Sequence, residues 1–590
     1  MLEARFDDLT RGGTSFRLVE PVGVFEATRP DEVVGVLDAA EGAAARGLWV
    51  AGFVAYEAAS GLDPSLQVRS REATDPFARL PLAWFAMFEQ REDTVLPEPQ
   101  GDPEVGHPGA WRPSVGRDAY DLSIASIHER IAAGDTYQVN HTIRLRSQVQ
   151  GDDRGLYRDL CYAQRGAYAG YLNLGRYRVL SASPELFFRR DGDTLTTRPM
   201  KGTAPRGRWP DEDAAIADAL RGSVKDRAEN AMIVDLLRND MGRVARPGSV
   251  RWSDVFGLER YETVWQLTST VSCTARADVG LVDLFRGLFP CGSVTGAPKV
   301  ETMRIIAGLE DSPRGVYCGA VGYLAPEGSG HPQARFNVPI RTVLVDADTG
   351  AAEYGVGGGI TWDSRAGSEY DEVVAKARVL TARRPRFDLY ETMRFEPGEG
   401  LVHLDLHVAR LAGSADYFGF TFDEEGLRRT LSRTVEGLKD HPARVRVSVD
   451  RRGHTTVAAS QLPPAADVVR VALDLADPVD PADPMLFHKT SLRRRYEEAL
   501  ARYPDADDVL LTNIRGEVTE STISNVAVLL DGTWLTPALD CGLLPGVGRE
   551  AALSDGWLRE GVIRVEDLDR AEAVELVSDV RGRRRIELTR

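Results

Sequence analysis

Residues 357–377 read GGGITWDSRAGSEYDEVVAKA, a glycine-rich run followed by a helical pattern. Side chains three and four residues apart lie together on a helix, so Glu369, Glu372 and Lys376 share one face. The opposite face carries Tyr370, Val373, Val374 and Ala377. The stretch therefore predicts an amphipathic helix that packs on a core through one side and presents two acids and a lysine on the other.

The start of this helix has its own signals. Ser368 and Asp371 have the spacing of a capping box, so we expect the helix to begin at Ser368. The run GVGGGI at 355–360 leads toward that end, where the backbone amides of a helix N-terminus can hold a carboxylate. We therefore expect an anion site beside the two acids.

A second acid on a helix is predicted in KDRAENAMIVDLLRND, residues 225–240. Glu229 lies four residues before Ile233 on an otherwise apolar stripe, and a carboxylate there needs a partner. Mg²⁺ binds a few oxygen ligands together with water and substrate, which makes Glu229 and Glu372 candidate ligands. The alternative interpretation is that the two acids are ordinary solvated charges on the surfaces of their helices.

Length and composition set broad limits on the protein. The chain has 590 residues, 43% hydrophobic and 27% charged, which is too long for a single core. Its net charge of -17 argues against general binding of nucleic acid. The start has no apolar signal segment and no apolar run is long enough to span a membrane, so we expect a cytoplasmic protein without a membrane partner. Five separated cysteines predict neither disulfides nor a zinc site.

Three changes in composition divide the chain. The Pro- and Gly-rich stretch 93–114, the segment ARRPR at 382–386 and the proline-rich stretch 461–485 are predicted connections. The predicted domains are 1–116, 117–381 and 387–590.

Strand and helix patterns mix without strict alternation, which predicts an α+β fold in both halves. The clearest strand patterns are 178–188, 316–324, 336–346, 444–449 and 525–530, and the clearest helical patterns are 118–133, 225–241, 298–308, 369–382 and 489–502.

Six ordered blocks in the first half resemble the chorismate-utilising enzymes, a family that includes anthranilate, isochorismate and aminodeoxychorismate synthases. The blocks are GDTYQVNHT (134–142), SASPELFF (181–188), RPMKGTAPRG (198–207), KDRAENAMIVDLLRND (225–240), FPCGSVTGAPK (289–299) and GGGITWDSRAGSEYDEVVAKA (357–377). The resemblance covers roughly residues 1–380 and implies a chorismate-binding β-sandwich flanked by helices.

Lys201 separates the branches of that family. Aminodeoxychorismate synthases carry Lys in this turn, whereas the anthranilate and isochorismate enzymes usually carry Ala. The resemblance implies that the Lys201 amine adds to C2 of chorismate as the 4-hydroxyl leaves, that Glu185 protonates the departing group, and that ammonia then displaces the lysine. It also implies Glu229 and Glu372 as Mg²⁺ ligands. The implied substrate-carboxylate contacts are Ser293, Tyr317, Arg341, Gly357, Gly359 and Lys376.

Two glutamines refine this assignment. Gln138 stands where isochorismate synthases have the lysine that activates water, and Gln266 stands where anthranilate synthases commonly carry His. Gln138 counts against water as the nucleophile, and Gln266 weakens the anthranilate interpretation because that enzyme must also expel pyruvate. The sequence shows no glutaminase nucleophile with a His partner, so we expect ammonia from a separate glutamine amidotransferase subunit or from free ammonium.

Five blocks in the second half resemble the class IV pyridoxal-phosphate enzymes, which include branched-chain and D-amino-acid aminotransferases and aminodeoxychorismate lyase. The blocks are FDLYETMRF (387–395), HLDLHVARL (403–411), FHKTSLRRRY (487–496), NIRGEVTESTISNVAVL (513–529) and TPALDCGLLPGVGR (536–549). The resemblance implies a shortened two-lobed fold and pyridoxal 5'-phosphate as cofactor.

The same resemblance implies roles for single residues. Lys489 forms the Schiff base, Glu520 pairs with the pyridinium nitrogen, and Tyr496 reaches the cofactor's phenolic oxygen. The phosphate is held by Arg410, Val547 and Gly548. His403 and His407 have helical spacing but lack the glutamate of a zinc-protease motif, so we interpret them as structural.

Two departures weaken the match of the second half. Family members usually have Thr at the position of Gly548, and the domain of residues 387–590 lacks the usual leading strand. We hypothesise that the first half supplies the missing packing. The joint expectation is conversion of chorismate to 4-aminobenzoate. The alternatives are an anthranilate synthase with a transaminase-like domain, or a C-terminal half that serves only as an interaction module.

Overall fold

The computed structural model describes residues 2–10, 12–99, 109–380, 386–438, 441–462 and 468–589. The chain forms two compact units, and the second unit contains both the chain from residue 386 onward and a short segment, Arg206–Ile216, that interrupts the first. Most of the predicted boundary at 382–386, and parts of the predicted connections 93–114 and 461–485, lie outside the described residues.

The described part of the first unit contains eighteen strands in one antiparallel network. They are β1 (Glu3–Asp7), β2 (Ser15–Ala27), β3 (Trp49–Val54), β4 (Ala83–Thr94), β5 (Arg112–Pro113), β6 (Gln138–Gln148), β7 (Tyr168–Asn173), β8 (Tyr177–Ser183), β9 (Leu186–Asp191), β10 (Thr194–Arg198), β11 (Met200–Pro205), β12 (Arg251–Arg260), β13 (Val264–Thr274), β14 (Gly296–Ala297), β15 (Ala320–Leu324), β16 (Ala334–Asn337), β17 (Thr342–Asp346) and β18 (Ala351–Ile360).

Fourteen of these strands pair along a single path with two arms, and the other four pair with the strand at one or the other end of it. One arm runs β6, β18, β17, β8, β7, β1. The other runs β2, β4, β3, β15, β16, β9, β10, β13 and is joined to the first by the pairing of β1 with β2. A buried cluster takes Val179 from the first arm and Phe53 and Tyr323 from the second, so the arms face each other as the layers of a sandwich.

The chain up to residue 380 also forms helices, and all but the one that starts at Pro210, in the segment assigned to the second unit, lie within the unit of the sandwich. They are α1 (Val33–Ala45), α2 (Ala59–Leu62), α3 (Arg117–Ala132), α4 (Asp153–Gln164), α5 (Pro210–Gly222), α6 (Val224–Gly242), α7 (Leu281–Leu288), α8 (Lys299–Leu309) and α9 (Ala366–Ala377). Apolar residues of α1, α6 and α7 share one buried cluster with the second arm, and those of α3, α4 and α9 share another with the first arm. The predicted helix-flanked sandwich is confirmed.

The structure places the glycine-rich run in a strand and shows that the predicted start of the following helix is wrong. The run 355–360 belongs to β18 and pairs with β6, because glycines let the two backbones approach closely. Helix α9 begins at Ala366 with Arg365 before it, and the Ser368 hydroxyl donates to the Arg365 carbonyl. Ser368 is therefore inside the helix, where such a bond competes with capping.

The first unit also joins two ranges that the sequence predicted as separate domains. Strand β1, from the range 1–116, pairs with β7 from the range 117–381, and β3 pairs with β15. Because both ranges contribute strands to one network, the division at residue 116 stays a prediction.

The second unit has two lobes of strands. A four-stranded sheet contains β19 (Leu389–Glu396), β20 (Gly400–Leu401), β21 (Ala443–Val449) and β22 (Thr455–Gln461), with α10 (Leu404–Phe418) and α11 (Glu424–Glu436) on it. The second lobe contains β23 (Val468–Val479), β24 (Asp508–Asn513), β25 (Val518–Ser521), β26 (Asn525–Leu530), β27 (Thr533–Pro537), β28 (Arg559–Gly561), β29 (Ala573–Ser578) and β30 (Gly582–Thr589), with α12 (Arg494–Arg502) and α13 (Val547–Ser554).

The second lobe closes on itself. Strands β25, β24, β23, β30, β29 and β26 pair in that order, and β26 pairs again with β25. A closed ring of six strands removes free edges. Among the described residues, no helix is long and apolar enough to cross a membrane.

Candidate active sites

Lys201 lies on β11, in a turn where Gly202 has a φ of 95° that favours glycine. The carbonyl of Lys201 accepts a hydrogen bond from the Asn230 side chain of α6 at 3.2 Å. Burial lowers the pKa of the Lys201 ammonium, Glu229 raises it and Lys376 lowers it again. A buried amine with a lowered pKa has more of its neutral, nucleophilic form near neutral pH.

Gly359 of β18 makes room for that amine. A Cβ atom at this position would lie 2.6 Å from Lys201 Nζ and 2.2 Å from Gln138 Nε2. A side chain at this position would therefore push the ends of the Lys201 and Gln138 side chains away from where they lie. The structure therefore brings Lys201, Gln138 and Gly359 together, and the absence of a side chain at 359 opens the space in front of the amine.

Glu185 is buried between β8 and β9, on the turn that follows Ser183. Burial raises the pKa of its carboxyl to about 7, while a hydrogen bond from Ser293 and the charge of Lys201 lower it in part. Among the described residues its Oε1 atom has no hydrogen-bond partner. A buried carboxyl with one free oxygen and a pKa of about 7 is suited to donating a proton to a ligand.

The acidic face of α9 lies near the same lysine. Lys376 Nζ is 2.6 Å from Glu372 and donates to the Gly357 carbonyl at 2.9 Å. Burial raises the pKa of Glu369, and the charge of Glu372 adds to this shift. Glu369, Glu372 and Glu229 all act on the charge of Lys201, so the three carboxylates surround one region.

These carboxylates fit a magnesium ion. Mg²⁺ takes one or two protein carboxylates together with water and substrate oxygens, and a divalent cation would relieve the repulsion that raises the pKa of Glu369. In the described part of the chain, no group of three or more His, Cys, Asp or Glu side chains is close enough to hold a metal by itself. Glu229 and Glu372 thus remain predicted ligands that would need substrate to complete the set.

Two other predicted contacts of the first unit lie on neighbouring strands or turns. Arg341 has a φ of 54° and donates to the Lys376 carbonyl at 2.7 Å, which ties the turn before β17 to α9. Tyr317 is buried against Gly355, where a Cβ atom would lie 2.2 Å from its ring. Both side chains border β18, but their contact with a carboxylate stays a prediction.

In the second unit a cavity of about 270 Å³ contains Lys489, Arg410, Tyr496, Glu520, Val547 and Gly548 in its wall. The six residues predicted to hold the cofactor are therefore brought together. They come from five separate segments of the chain, which the fold alone makes adjacent.

Lys489 lies on an extended segment before α12, which begins later than predicted, at Arg494. Its carbonyl accepts a hydrogen bond from the Tyr390 amide of β19 at 3.1 Å, and Thr490 forms a bridge with Leu389. Burial lowers the pKa of the Lys489 amine to about 8, and Arg410 adds to the lowering. The amine also lies 5.0 Å from the centre of the Tyr390 ring.

Glu520 of β25 forms the other end of the cavity. Burial raises the pKa of its carboxyl to about 7, although the Tyr496 hydroxyl donates to Oε1 at 2.9 Å and the Leu544 amide donates to Oε2 at 3.2 Å. A buried carboxylate in this state would be stabilised by a cationic ring nitrogen. Tyr496 thus contacts Glu520, and its predicted contact with the phenolic oxygen of the cofactor stays a prediction.

Arg410 is fixed by a network that sequence reasoning missed. Its guanidinium bonds both oxygens of Glu391, at 2.8 and 2.7 Å, and donates to the Pro545 carbonyl at 2.9 Å. His407 lies one turn earlier on α10, with Nδ1 2.8 Å from Glu391 and Nε2 2.9 Å from Asp579. The imidazolium form donates from both nitrogens and therefore suits a ring that has a carboxylate on each side.

His407 was interpreted as structural, but its ring borders the cavity. Burial lowers the pKa of His407, but the hydrogen bonds to Asp579 and Glu391 raise it by more, so the net shift is upward. The signal available in the sequence was the spacing of His407 and Arg410, which places them on one helix face. Their carboxylate partners come from β19 and from the turn after β29, and no pattern in the sequence predicts these contacts.

Gly548, the departure from the family pattern, has a steric explanation. A Cβ atom there would lie 2.6 Å from the Asp579 amide nitrogen and 2.8 Å from the Ser578 carbonyl carbon. Threonine would therefore collide with the turn after β29. Arg410, the start of α13 at Val547 and this turn together form a cationic, amide-lined end of the cavity that fits a phosphate group.

Comparison with known proteins gives two family matches. Residues 14–382 match the model of the chorismate binding enzymes, and residues 388–588 match that of the class IV amino-transferases. The first match covers more than half of the chain. The second coincides with the two-lobed unit and its lysine-containing cavity, so both predicted resemblances and the predicted fold class are confirmed.

Individual relatives match the first half. The chain is 42% identical over 273 residues to aminodeoxychorismate synthase component 1 of Klebsiella aerogenes, covering 46% of this chain and 59% of that protein. It is 35% identical over 336 residues to an anthranilate synthase component 1 of Haloarcula marismortui, covering 56% and 67%. The crystal structure of anthranilate synthase component I from Streptococcus pneumoniae matches with a TM-score of 0.54 and 25% identity, covering 63% and 92%.

The chain spans about half the length of the curated aminodeoxychorismate synthases that it matches. These matches, the sandwich and the surroundings of Lys201 agree with one another. The chain therefore belongs to the chorismate binding enzyme family, and its second unit carries a class IV amino-transferase domain.

Proposed function

We propose that the chain converts chorismate to 4-aminobenzoate in two steps, an amination in the first unit and a lyase reaction in the second. The observation that carries the first step is the partly buried Lys201 amine at the space left by Gly359, beside Gln138 and the acids of α6 and α9. Relatives named aminodeoxychorismate synthase support this step. The substrate, chorismate, follows from the family.

In the amination, Lys201 Nζ forms a bond to C2 of chorismate while the bond between C4 and its hydroxyl breaks. Glu185 protonates the departing hydroxyl, which leaves as water. Ammonia then forms a bond to C4 as the bond from C2 to Lys201 breaks, and the amine of Lys201 is regenerated. Two displacements give 4-amino-4-deoxychorismate with retention at C4.

Other groups of the first unit hold the substrate in this proposal. Glu229 and Glu372 would hold Mg²⁺, which neutralises a substrate carboxylate when bound. Lys376, Arg341, Ser293, Tyr317 and the backbone of Gly357 and Gly359 contact the carboxylates. Ammonia comes from a glutamine amidotransferase partner, as the name component 1 of the relatives suggests, or from free ammonium. The cytoplasmic location stays a prediction.

In the lyase step, pyridoxal phosphate would supply an electron sink. Lys489, whose pKa lies near 8, takes the proton from C4 of the amino compound and returns a proton as the enolpyruvyl group departs as pyruvate. Glu520 holds the ring nitrogen and Arg410 holds the phosphate. Aromatisation of the ring drives the reaction toward 4-aminobenzoate.

The charges around the second cavity support a dianionic substrate. Arg446 and Arg493 line it, with Arg446 4.4 Å from the Tyr390 ring and Arg493 3.2 Å from the Tyr390 hydroxyl. Two guanidinium groups beside the lysine suit a ligand with two carboxylates. This chemistry favours the amino product of the first unit over an amino acid with an apolar side chain.

The test uses two variants that serve as controls for each other. Chorismate, ammonium and Mg²⁺ are supplied to the full chain with pyridoxal phosphate, and products are separated by chromatography. Lys201→Ala should make no product from chorismate but convert added 4-amino-4-deoxychorismate at the parental rate. Lys489→Ala should accumulate that intermediate and release no 4-aminobenzoate. Unchanged production of 4-aminobenzoate from chorismate by either variant would refute the proposal.

A second candidate function is anthranilate synthesis, since anthranilate synthases are also relatives. The same chromatogram separates 2-aminobenzoate from 4-aminobenzoate. Gln266, whose side chain accepts a hydrogen bond from Thr203 at 2.8 Å, argues against it because no imidazole stands there to help expel pyruvate. If the purified chain fails to take up pyridoxal phosphate, the second unit is an interaction module.

A further inference from the structure

A short piece of the first family match is built into the second unit. Arg206–Ile216 belongs to the compact unit that otherwise starts at residue 386, although it lies within residues 14–382. It follows β11 directly in the chain and includes the start of α5. Its first four residues, Arg206–Trp209, make the contacts that matter for the class IV site.

Arg206 is buried and fixed within this segment. It forms a two-bond salt bridge with Asp213, at 2.7 Å for each bond, and both side chains are at most 7% exposed. The guanidinium also lies 4.3 Å from the centre of the Tyr417 ring and donates to the Tyr417 carbonyl at 3.1 Å. In return the Tyr417 hydroxyl donates to the Gly207 carbonyl at 2.6 Å. The segment and α10 therefore hold each other through several polar contacts.

Trp209 and Arg208 pack on the residue two before the cofactor lysine. The rings of Trp209 and Phe487 are 4.9 Å apart, and the Arg208 guanidinium lies 5.6 Å from the Phe487 ring. Arg208 is held in turn by Asp540 at 2.7 Å and by the Pro481 carbonyl at 3.3 Å. Phe487 belongs to a buried cluster against which Trp209 is packed.

The residue directly before the lysine is held through Tyr417. The His488 ring lies 4.4 Å from the Tyr417 ring and 4.6 Å from the Phe418 ring, and Nδ1 is 3.0 Å from the Ser414 hydroxyl. Tyr417 is the side chain that Arg206 and Gly207 fix. The inserted segment thus contacts Phe487 directly and His488 through Tyr417, while the Lys489 backbone is held on its other side by β19.

We propose that Arg206–Trp209 positions Lys489 of the class IV domain, a role that rests on the proposed pyridoxal phosphate chemistry. The segment supplies an aromatic and cationic support for the turn Phe487–Lys489. This support compensates for the short start of the class IV domain at β19. It makes a part of the chorismate-binding sequence necessary for the geometry of the second site.

The experiment uses the full chain with Trp209→Ala, Trp209→Phe and Trp557→Ala. Trp557 is a half-buried tryptophan of the same unit that packs on Trp534, at 6.1 Å, so its variant controls for general loss of aromatic packing. Three quantities are measured: the dissociation constant of pyridoxal phosphate, the pH midpoint of the absorbance of the lysine-bound cofactor, and hydrogen exchange of the 487–491 peptide in the cofactor-free chain.

We expect Trp209→Ala to weaken cofactor binding tenfold or more, to shift the pH midpoint and to speed exchange of the 487–491 peptide tenfold or more. Trp209→Phe should restore most of each loss, and Trp557→Ala should leave all three near the parental values. Parental exchange and affinity in Trp209→Ala would overturn the proposal, as would equal losses in Trp557→Ala.

The exchange measurement separates this inference from the proposed function. A parental chain that takes up no pyridoxal phosphate removes the lyase proposal. In that case faster exchange of the 487–491 peptide in Trp209→Ala would still support the positioning of the Lys489 turn, and unchanged exchange would overturn it.

Discussion

Replacing Glu185 by glutamine should remove the proposed proton donor of the amination while keeping the shape of the side chain. An ordinary glutamate, with a pKa of 4.5, would be protonated in only about 0.3% of molecules at pH 7. Burial raises the pKa of Glu185 to about 7, so about half of the molecules carry the proton there. The surroundings of the carboxyl therefore increase the available acid by roughly 150-fold.

The raised pKa of Glu185 sets the sign of its contribution to the pH dependence. Glu185 acts in its acid form and Lys201 as the neutral amine, so the two titrations act in opposite directions on the parental rate. The titration of Lys201 is common to the parental chain and to Glu185→Gln, so the ratio of their amination rates isolates Glu185. This ratio should fall about tenfold for each pH unit above 7 and level off below it. The Glu185→Gln variant should be slower by roughly 10² to 10⁴-fold at pH 6.5 and should lose the contribution of Glu185 to the pH dependence. Glu301→Gln, which changes an exposed acid on α8, should reproduce the parental profile.

The assay follows 4-amino-4-deoxychorismate in the Lys489→Ala background, so that the second step does not intervene. Free ammonia is held constant at each pH, because its fraction otherwise rises with pH and opposes the expected decline. A ratio of parental to Glu185→Gln rates that stays level between about pH 6.5 and 8.5 would contradict the assignment, since the pKa of Glu185 lies inside that window. So would a decline that persists unchanged in Glu185→Gln.

Four other perturbations test the two sites. Gly359→Ala should reduce amination at least 100-fold in the same assay, because its Cβ atom would lie 2.6 Å from Lys201 Nζ. His407→Gln should weaken the binding of pyridoxal phosphate tenfold or more, because His407 and Arg410 share Glu391. The binding of pyridoxal, which lacks the phosphate, should be nearly unaffected. Equal losses of affinity for both ligands would exclude a role of His407 through Arg410. Gly548→Thr should lower the stability of the second unit by about 1 to 3 kcal/mol in thermal unfolding, since the turn after β29 leaves no space. The rate of cofactor attachment should rise about tenfold per pH unit up to pH 8 and then level off, because burial lowers the pKa of Lys489 to about 8 and the neutral amine is the reactive form.

The sequence predicts the bounds of a helix or strand well where one local pattern of apolar residues defines the element. The helices α3, α6 and α8 and the strands β21 and β26 lie within two residues of their predicted bounds, because the apolar period of each is unbroken. The strand at 355–360 was not predicted, because glycine is depleted in strands, whereas here the glycines admit Tyr317, Gln138 and the neighbouring strand β6. Close approach of this kind depends on long-range pairing and is invisible in the local pattern.

The candidate sites divide in the same way. Lys201 and Lys489 were found because each lies in a distinctive block, but their reactivity depends on burial by residues far away in the chain. For Arg410 the sequence supplied the guanidinium and missed its support, since Glu391 and Asp579 are 19 residues before and 169 residues after it. Partners at such separations carry no spacing signal, and only the closed fold brings them together.

The two lysines illustrate one physical solution used twice. In each unit burial of an amine lowers its pKa. Nearby carboxylates raise the pKa again in part, so the amine can still take up and release a proton. The carboxylates around Lys201 are those that would bind a metal and substrate. Ligand binding would therefore change the pKa of Lys201. Around Lys489 the nearest carboxylates, Glu391 and Glu520, are already engaged by Arg410 and Tyr496. The reactivity of Lys201 should therefore respond to Mg²⁺ and chorismate, whereas that of Lys489 is set by the fold before any ligand binds.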